Sequence, residues 1–134
     1  MKLFDPTLAQ LESALDVRMI RHNVLAGNLA NADTPGYVAQ DLDFARAMAA
    51  AVASPASAPL PSEGHIPLAT AGGGTVESAA VLAAGGSPGH DGNSVDTDRT
   101  LAALAENGLQ YGAAAKTAAR KLAILRYVAS DGAA

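Results

Sequence analysis

The chain contains no cysteine and no tryptophan, and only 4% of its residues are aromatic. Without thiols there can be no disulfide, no thiolate nucleophile and no cysteine-ligated zinc, so the chain is indifferent to redox compartment. Basic residues are also few. Nine Lys and Arg stand against thirteen Asp and Glu, for a net charge of −4, which excludes a mainly electrostatic grip on nucleic acid. Long apolar runs are missing. The longest uncharged stretch, Ala47 to Ser62, is broken by Pro55, Pro59 and Pro61, whereas a membrane-spanning helix needs about 20 apolar residues. No direct membrane span is expected. The opening Met1-Lys2-Leu3-Phe4-Asp5-Pro6 places an acid and a proline where a secretory signal needs its apolar region. Any exit from the cytoplasm would need another export route.

What is abundant is alanine, at 32 of 134 residues. It favours helix at no side-chain entropy cost but contributes little buried area. The hydrophobic fraction of 49% therefore overstates the core that this single domain's length of chain could build alone.

Composition divides the chain into three parts. From Ala47 to Asp98 there is no Lys or Arg, and five of the seven prolines and eight of the thirteen glycines lie between Pro55 and Gly92. Such a segment lacks the bulky residues that offset ordering entropy. The expected fold is mainly α: long N-terminal and C-terminal helices form a coiled-coil-like pair, joined by an irregular Ala/Gly/Pro-rich middle. The boundaries are 1–52 for the first helix, a turn and a short helix, 53–94 for the connection, and 95–134 for the C-terminal helix. Both termini then form one structural domain.

The first helix is expected over residues 6 to about 30, with Asp5 as N-cap and Pro6 at the first helical position. Leu8, Leu11, Leu15, Leu25 and Leu29 fall on a heptad seam that passes through Arg18 and His22. Val17, Ile20 and Val24 make a second apolar row. The C-terminal helix is capped by Asp96 or Asp98, and its seam runs Leu101, Leu104, Gly108, Tyr111, Ala115, Ala118, Leu122, Leu125, Ala129. Gly108 and Gly112 imply either close helix packing or a local bend. A simple antiparallel hairpin leaves the second row on the first helix without a neighbour. The preferred expectation is a protomer whose seams are completed by other chains, and whose isolated chain is only partly folded.

Between the first helix and Asp41 lies Asn28-Leu29-Ala30-Asn31-Ala32-Asp33-Thr34-Pro35-Gly36-Tyr37. Asn31 tolerates the left-handed conformation that ends helices, Thr34 is pushed towards extended geometry by the proline, and Pro35-Gly36 suits the centre of a type II turn. Tyr37 supplies an apolar ring with a polar tip. An ordinary helix stop would not call for Asn28, Asp33, Thr34 and Tyr37 as well. This run resembles the N-terminal signature of bacterial flagellar axial proteins, the rod, hook and junction subunits. Asp41-Leu42-Asp43-Phe44, the block from Asp91 to Asp98 and Ala105-Glu106-Asn107-Gly108-Leu109-Gln110-Tyr111 resemble the proximal rod members, with a weaker echo at Gly64-His65-Ile66-Pro67. Val38-Ala39-Gln40 departs from the family in carrying no basic residue. The resemblance implies a structural subunit of the proximal rod in the flagellar basal body, on the periplasmic side of the inner membrane. It also implies export by the flagellar type III apparatus without a cleaved signal peptide. The implied partners are further copies of the subunit, the rod protein FlgC and other rod proteins, the adaptor FliE and the MS-ring protein.

No catalytic constellation is present. His22 lies in the first seam as an interface or core residue, and His65 and His90 lie in the middle segment, where no rigid shell would hold a site. His90-Asp91 is a weak metal pair, and Asp91, Asp96 and Asp98 lack the ligand order of a calcium loop. Gly72-Gly73-Gly74 lacks the context of a phosphate loop. Asp41 and Asp43 read as caps for a short helix with Phe44, Met48 and Val52 on one face. Lys116, Arg120, Lys121 and Arg126 read as a solvated face or a salt-bridging rim between protomers. No enzyme, cofactor or metal is expected. The alternative is a soluble helical export cofactor or chaperone of the flagellar secretion system.

Overall fold

The computed structural model describes residues 6–53, 81–84 and 86–130. The element order is α1 (Pro6–Ala30), β1 (Gln40–Leu42), α2 (Phe44–Ala53), β2 (Val81–Ala83) and α3 (Thr97–Ala129). The chain is mainly helical, as its alanine content and seams require. Helix α1 has the expected bounds, although its expected cap Asp5 lies outside the described residues. Helix α3 is capped by Asp96, whose carboxylate accepts from the Arg99 N–H at 3.0 Å, while Asp98 sits in the first turn. Its 33 residues span about 50 Å at about 1.5 Å per residue.

Helices α1 and α3 pack antiparallel. Arg18 meets Asn107 and Gln110, whereas Leu25 and Asn28 share a cleft with Arg99, Thr100 and Ala103. The second apolar row of α1 finds its neighbour within the chain. Val17 is 1% exposed and clusters with Leu42 of β1 and Ala47 of α2, with Ile20, Phe44, Met48 and Val81 packed around them. A second chain is therefore not needed to cover that row. The expectation underrated what a ten-residue helix and one strand residue can cover.

The middle of the chain also holds structure that periodicity did not announce. β1 and β2 pair antiparallel, Gln40 against Ala83 and Leu42 against Val81, and the Ala84 N–H donates to the Ala39 carbonyl at 2.8 Å. Three-residue strands carry too little alternation to be read from sequence. Asp43 caps α2, accepting from the Ala45 and Arg46 N–H groups at 3.0 and 3.2 Å. Asp41, expected to share that role, instead holds Arg21. Phe44 and Met48 face the core, but Val52 is 59% exposed. The Gly64 to Pro67 echo, His65 and Gly72 to Gly74 lie outside the described residues.

Candidate functional site

The turn after α1 takes the expected shape. The Tyr37 N–H donates to the Thr34 carbonyl at 3.2 Å, and Gly36, in the third position, has φ +73°. Proline second and a positive-φ glycine third define a type II turn. Asn31 closes the helix, its N–H donating to Gly27 and Asn28 carbonyls at 3.1 Å and its side-chain amide to Gly27 at 2.8 Å. Thr34 donates its hydroxyl to Asn31 Oδ1 at 3.3 Å. Asp33 and Pro35 are exposed.

Asn28 and Tyr37 act inward. Asn28 is 2% exposed. Its Oδ1 accepts from the Gln40 N–H at 2.9 Å and from the Tyr37 hydroxyl at 3.4 Å, while its Nδ2 donates to the Gln40 carbonyl. One side chain therefore stands in for a strand neighbour of β1 and satisfies main-chain groups that burial would otherwise penalise.

The turn is completed by a segment about sixty residues away in sequence, one that sequence reasoning assigned only to resemblance and capping. Asn93, 7% exposed, directs its Nδ2 at the carbonyls of Asn31, Ala32 and Thr34, at 3.0, 2.8 and 2.9 Å. Its Oδ1 accepts from the Val95 N–H at 2.7 Å. The Gly36 N–H donates to the Asp91 carbonyl and the Ser94 N–H to the Tyr37 carbonyl, both at 3.0 Å, and the Ala39 N–H donates to Ser94 Oγ at 2.9 Å. Gly92, at φ +77°, brings the loop to within about 3.5 Å of the Gly36 Cα for any Cβ placed there. The two blocks that carry the family resemblance are thus one clip. A long-range amide with three acceptors leaves no periodic trace, and only the co-occurrence of both blocks hinted at it.

Two charged contacts brace the same end. Arg21 pairs bidentately with Asp41, with both N–O distances at 2.9 Å. Burial pushes the Asp41 carboxyl up, but the Arg21 hydrogen bond, the Leu42 N–H and the charges of Arg21 and Arg99 outweigh it and hold it below its ordinary range. The same hydrogen bond raises Arg21 against the opposing effect of its burial. Arg18 donates to Gln110 Oε1 and stacks over Phe44 at 4.5 Å, a cation–π contact tying α1 to both α2 and α3. Arg18, read only as a gap in the seam, is therefore a junction.

The seam residues are placed differently from one another. Leu25 is 3% exposed, Leu8, Leu11, Leu15, Leu104, Tyr111 and Leu125 are half-buried, and Leu29, Leu101 and Leu122 are 36%, 50% and 50% exposed. On α3 the residues turned fully inward are Thr100 and Asn107, each one position before a seam residue. The contact with α1 therefore follows a row beside the leucine seam, and the seam itself is left partly open. Outside their own helix backbone, no atom of the described residues lies within 4 Å of a Cβ built on Gly108 or Gly112, so packing among the described residues does not explain them. His22 is exposed at the edge of a cavity of about 250 Å³ lined with Arg18, Met19, Asn107, Gly108 and Tyr111. Among the described residues no group of three or more acids and histidines could hold a metal ion, and no helix is long and apolar enough to cross a membrane.

The family model described as flagella basal body rod protein matches residues 8–37, which are most of α1 and the turn. The chain is 38% identical over 113 residues to flagellar basal body rod protein FlgB of Escherichia coli, covering 80% of each chain. FlgB of Salmonella typhimurium is 35% identical over the same length, with 80% of each covered. FlgB of Bacillus subtilis is 30% identical over 133 residues, covering 98% of this chain and 99% of the relative. The likeness therefore takes in both arms, the clip and the middle, and the chain belongs to the flagellar basal body rod protein family.

Proposed function

We propose that the chain is a structural subunit of the proximal rod that self-assembles with other rod proteins into the drive shaft transmitting torque. Its family has a structural role in the basal body rod. The observation that carries the finer reading is the open seam: Leu101 and Leu122 are each 50% exposed beside a closed α1–α3 pair. Burial of that seam against neighbours returns about 25 cal/mol per Å². The turn and clip fix the direction in which the chain leaves α1, so that neighbouring subunits meet a rigid end. The assembly motif is Asn28, Asn31, Asp33, Thr34, Pro35, Gly36 and Tyr37. The packing seams are Leu8, Leu11, Leu15, Leu25, Leu29, Leu101, Leu104, Tyr111, Leu122 and Leu125. Partners in this reading are further copies of the chain, FlgC and other rod proteins, FliE and the MS-ring protein. Delivery is by the flagellar type III apparatus without a cleaved signal peptide, to the periplasmic side of the inner membrane.

The test is an immunoblot of detergent- and alkali-washed basal bodies. Retention of the chain supports the rod subunit. Its absence, with the protein recovered soluble, rejects that reading in favour of an export cofactor. Leu122→Asp then separates assembly from folding, because the residue is half-exposed in the single chain. Export should continue while incorporation is lost, and normal motility would remove the seam's role.

A further inference from the structure

Of the five asparagines in the chain, only Asn107 is followed by glycine. Glycine has no side chain to shield its backbone nitrogen or restrict its approach, so an Asn-Gly pair is unusually open to attack of that nitrogen on the asparagine's own carboxamide. The structure holds this pair where the reaction is blocked. Both residues lie inside α3 (Thr97–Ala129), where the Gly108 N–H belongs to the helical ladder. Asn107 is 1% exposed, and its Nδ2 donates to the Arg18 carbonyl at 2.9 Å. Among the described residues its Oδ1 is a buried acceptor with no donor, so nothing there would stabilise negative charge developing on that oxygen. We infer that Asn107-Gly108 is a self-modification site, open while the chain is unfolded and closed once α3 has formed against α1, at which the asparagine becomes aspartate or isoaspartate.

The chemistry needs only water. The Gly108 nitrogen gives up its proton and bonds to Asn107 Cγ. The Cγ–Nδ2 bond breaks, and ammonia leaves with the equivalent of that proton, giving a cyclic imide. Water then opens the ring at either carbonyl. One opening leaves an aspartate side chain, and the other routes the main chain through Cγ as isoaspartate. Either product spoils the contact between the helices. A carboxylate cannot donate, so the Arg18 carbonyl loses its partner and an unpaired charge is buried. Isoaspartate also lengthens the main chain by a carbon atom, which breaks the α3 ladder. The site therefore records time spent unfolded, and the chains that carry the record are kept from closing α1 on α3. Outside the helix backbone no described residue comes within 4 Å of a Cβ built on Gly108, so Gly108→Ala removes the site without disturbing the fold.

Cleavage after Arg99 and Lys116 releases Thr100–Lys116, which holds no other asparagine, so mass spectrometry of that peptide reads the site alone. The purified chain is held in mildly alkaline buffer with and without urea. Washed basal bodies and a synthetic peptide of residues 105–111, too short to hold a helix, are treated alongside it. The chain in urea should convert at the synthetic peptide's rate. Where circular dichroism shows the helices formed, conversion should be slower by about tenfold or more, because only opened chains react. Slow conversion in basal bodies alone also supports the site, with assembly as the step that closes it. Conversion at the synthetic peptide's rate in helical chains or in basal bodies would overturn the inference, as would a urea-treated chain that stays unmodified. Gly108→Ala should keep the helix signal and slow conversion in urea by about tenfold or more, and an unaltered rate would deny the glycine its part. Asn107→Asp should unfold at a lower urea midpoint than wild type, and an unchanged midpoint would overturn the exclusion of modified chains. Absence of the chain from basal bodies would remove the rod reading and leave this one to be decided by the buffer samples.

Discussion

The carboxamide of Asn28 pairs with both main-chain groups of Gln40, donating to its carbonyl and accepting from its N–H at 2.9 Å. A side chain near the end of α1 thus does what a neighbouring strand would do, on the edge of β1 away from β2. Asn28→Asp keeps the shape, removes the donor and places a carboxylate where the residue is 2% exposed. The expected loss is about 3 kcal/mol, read as a fall in the urea midpoint by circular dichroism. An unchanged midpoint would mean that the pairing contributes little.

Asn93 makes a separate case, because one amide nitrogen answers three carbonyls of the turn. Asn93→Ala should cost about 2 kcal/mol. More diagnostically, amide exchange should quicken at Thr34, Gly36 and Tyr37, whose N–H groups belong to the turn and clip. The α3 amides beyond its first turns should be unaffected. Uniform acceleration across both helices would argue for general unfolding instead.

Gly36 is held at φ +73°, a conformation that a β-branched residue resists. Gly36→Val should therefore destabilise by about 2 kcal/mol and lower rod incorporation. Gly27 is the control: it lies in α1, and outside the helix backbone none of the described residues comes within 4 Å of a Cβ placed there. Gly27→Ala should be neutral or stabilise by up to about 1 kcal/mol. Equal effects of the two substitutions on the thermal midpoint would deny the turn its special geometry.

The Arg21–Asp41 pair makes an acid prediction. The Asp41 carboxyl lies below its ordinary range in the folded chain, so its contribution is fully present above the unfolded value of about 3.9 and is lost as pH falls through the folded one. The stability difference between wild type and Asp41→Asn should be constant from about pH 7 to 5 and shrink below about pH 4. Because the carboxylate is 37% exposed, the plateau should be about 1 kcal/mol or less and should weaken with salt. A difference that grew on acidification would reverse the assignment.

What the sequence makes legible is what is local. Helix α1, the Asp96 cap, the Pro35-Gly36 turn and the helix beginning at Phe44 each follow from residues within a few positions of one another. The features that escaped are contacts between distant segments. Asn93 reaching Asn31, Arg18 lying between Phe44 and Gln110, and Leu42 covering Val17 have no period to betray them. The heptad on α3 runs beside the row that α1 covers most fully, that of Thr100 and Asn107, and only some of its members, such as Tyr111, border α1. Thr100 and Asn107 are polar, so an apolar pattern does not single them out from the leucines nearby, although both are buried. Apolar spacing marks a face that water disfavours, but it does not say which element covers that face.

The pairing of Leu42 with Val81 and of Ala39 with Ala84 has a practical consequence. The chain departs from α2 and re-enters at β2, and this neck is held by the strand pairing and by the core around Val17, so length added between the two elements is decoupled from the geometry of the two arms. For an unstructured insert placed there, each doubling of the closed length costs only about 0.6 kcal/mol. Epitope tags or whole reporter domains should be accepted at that point. The same neck gives evolution a place to add material to a subunit without disturbing how its arms pack.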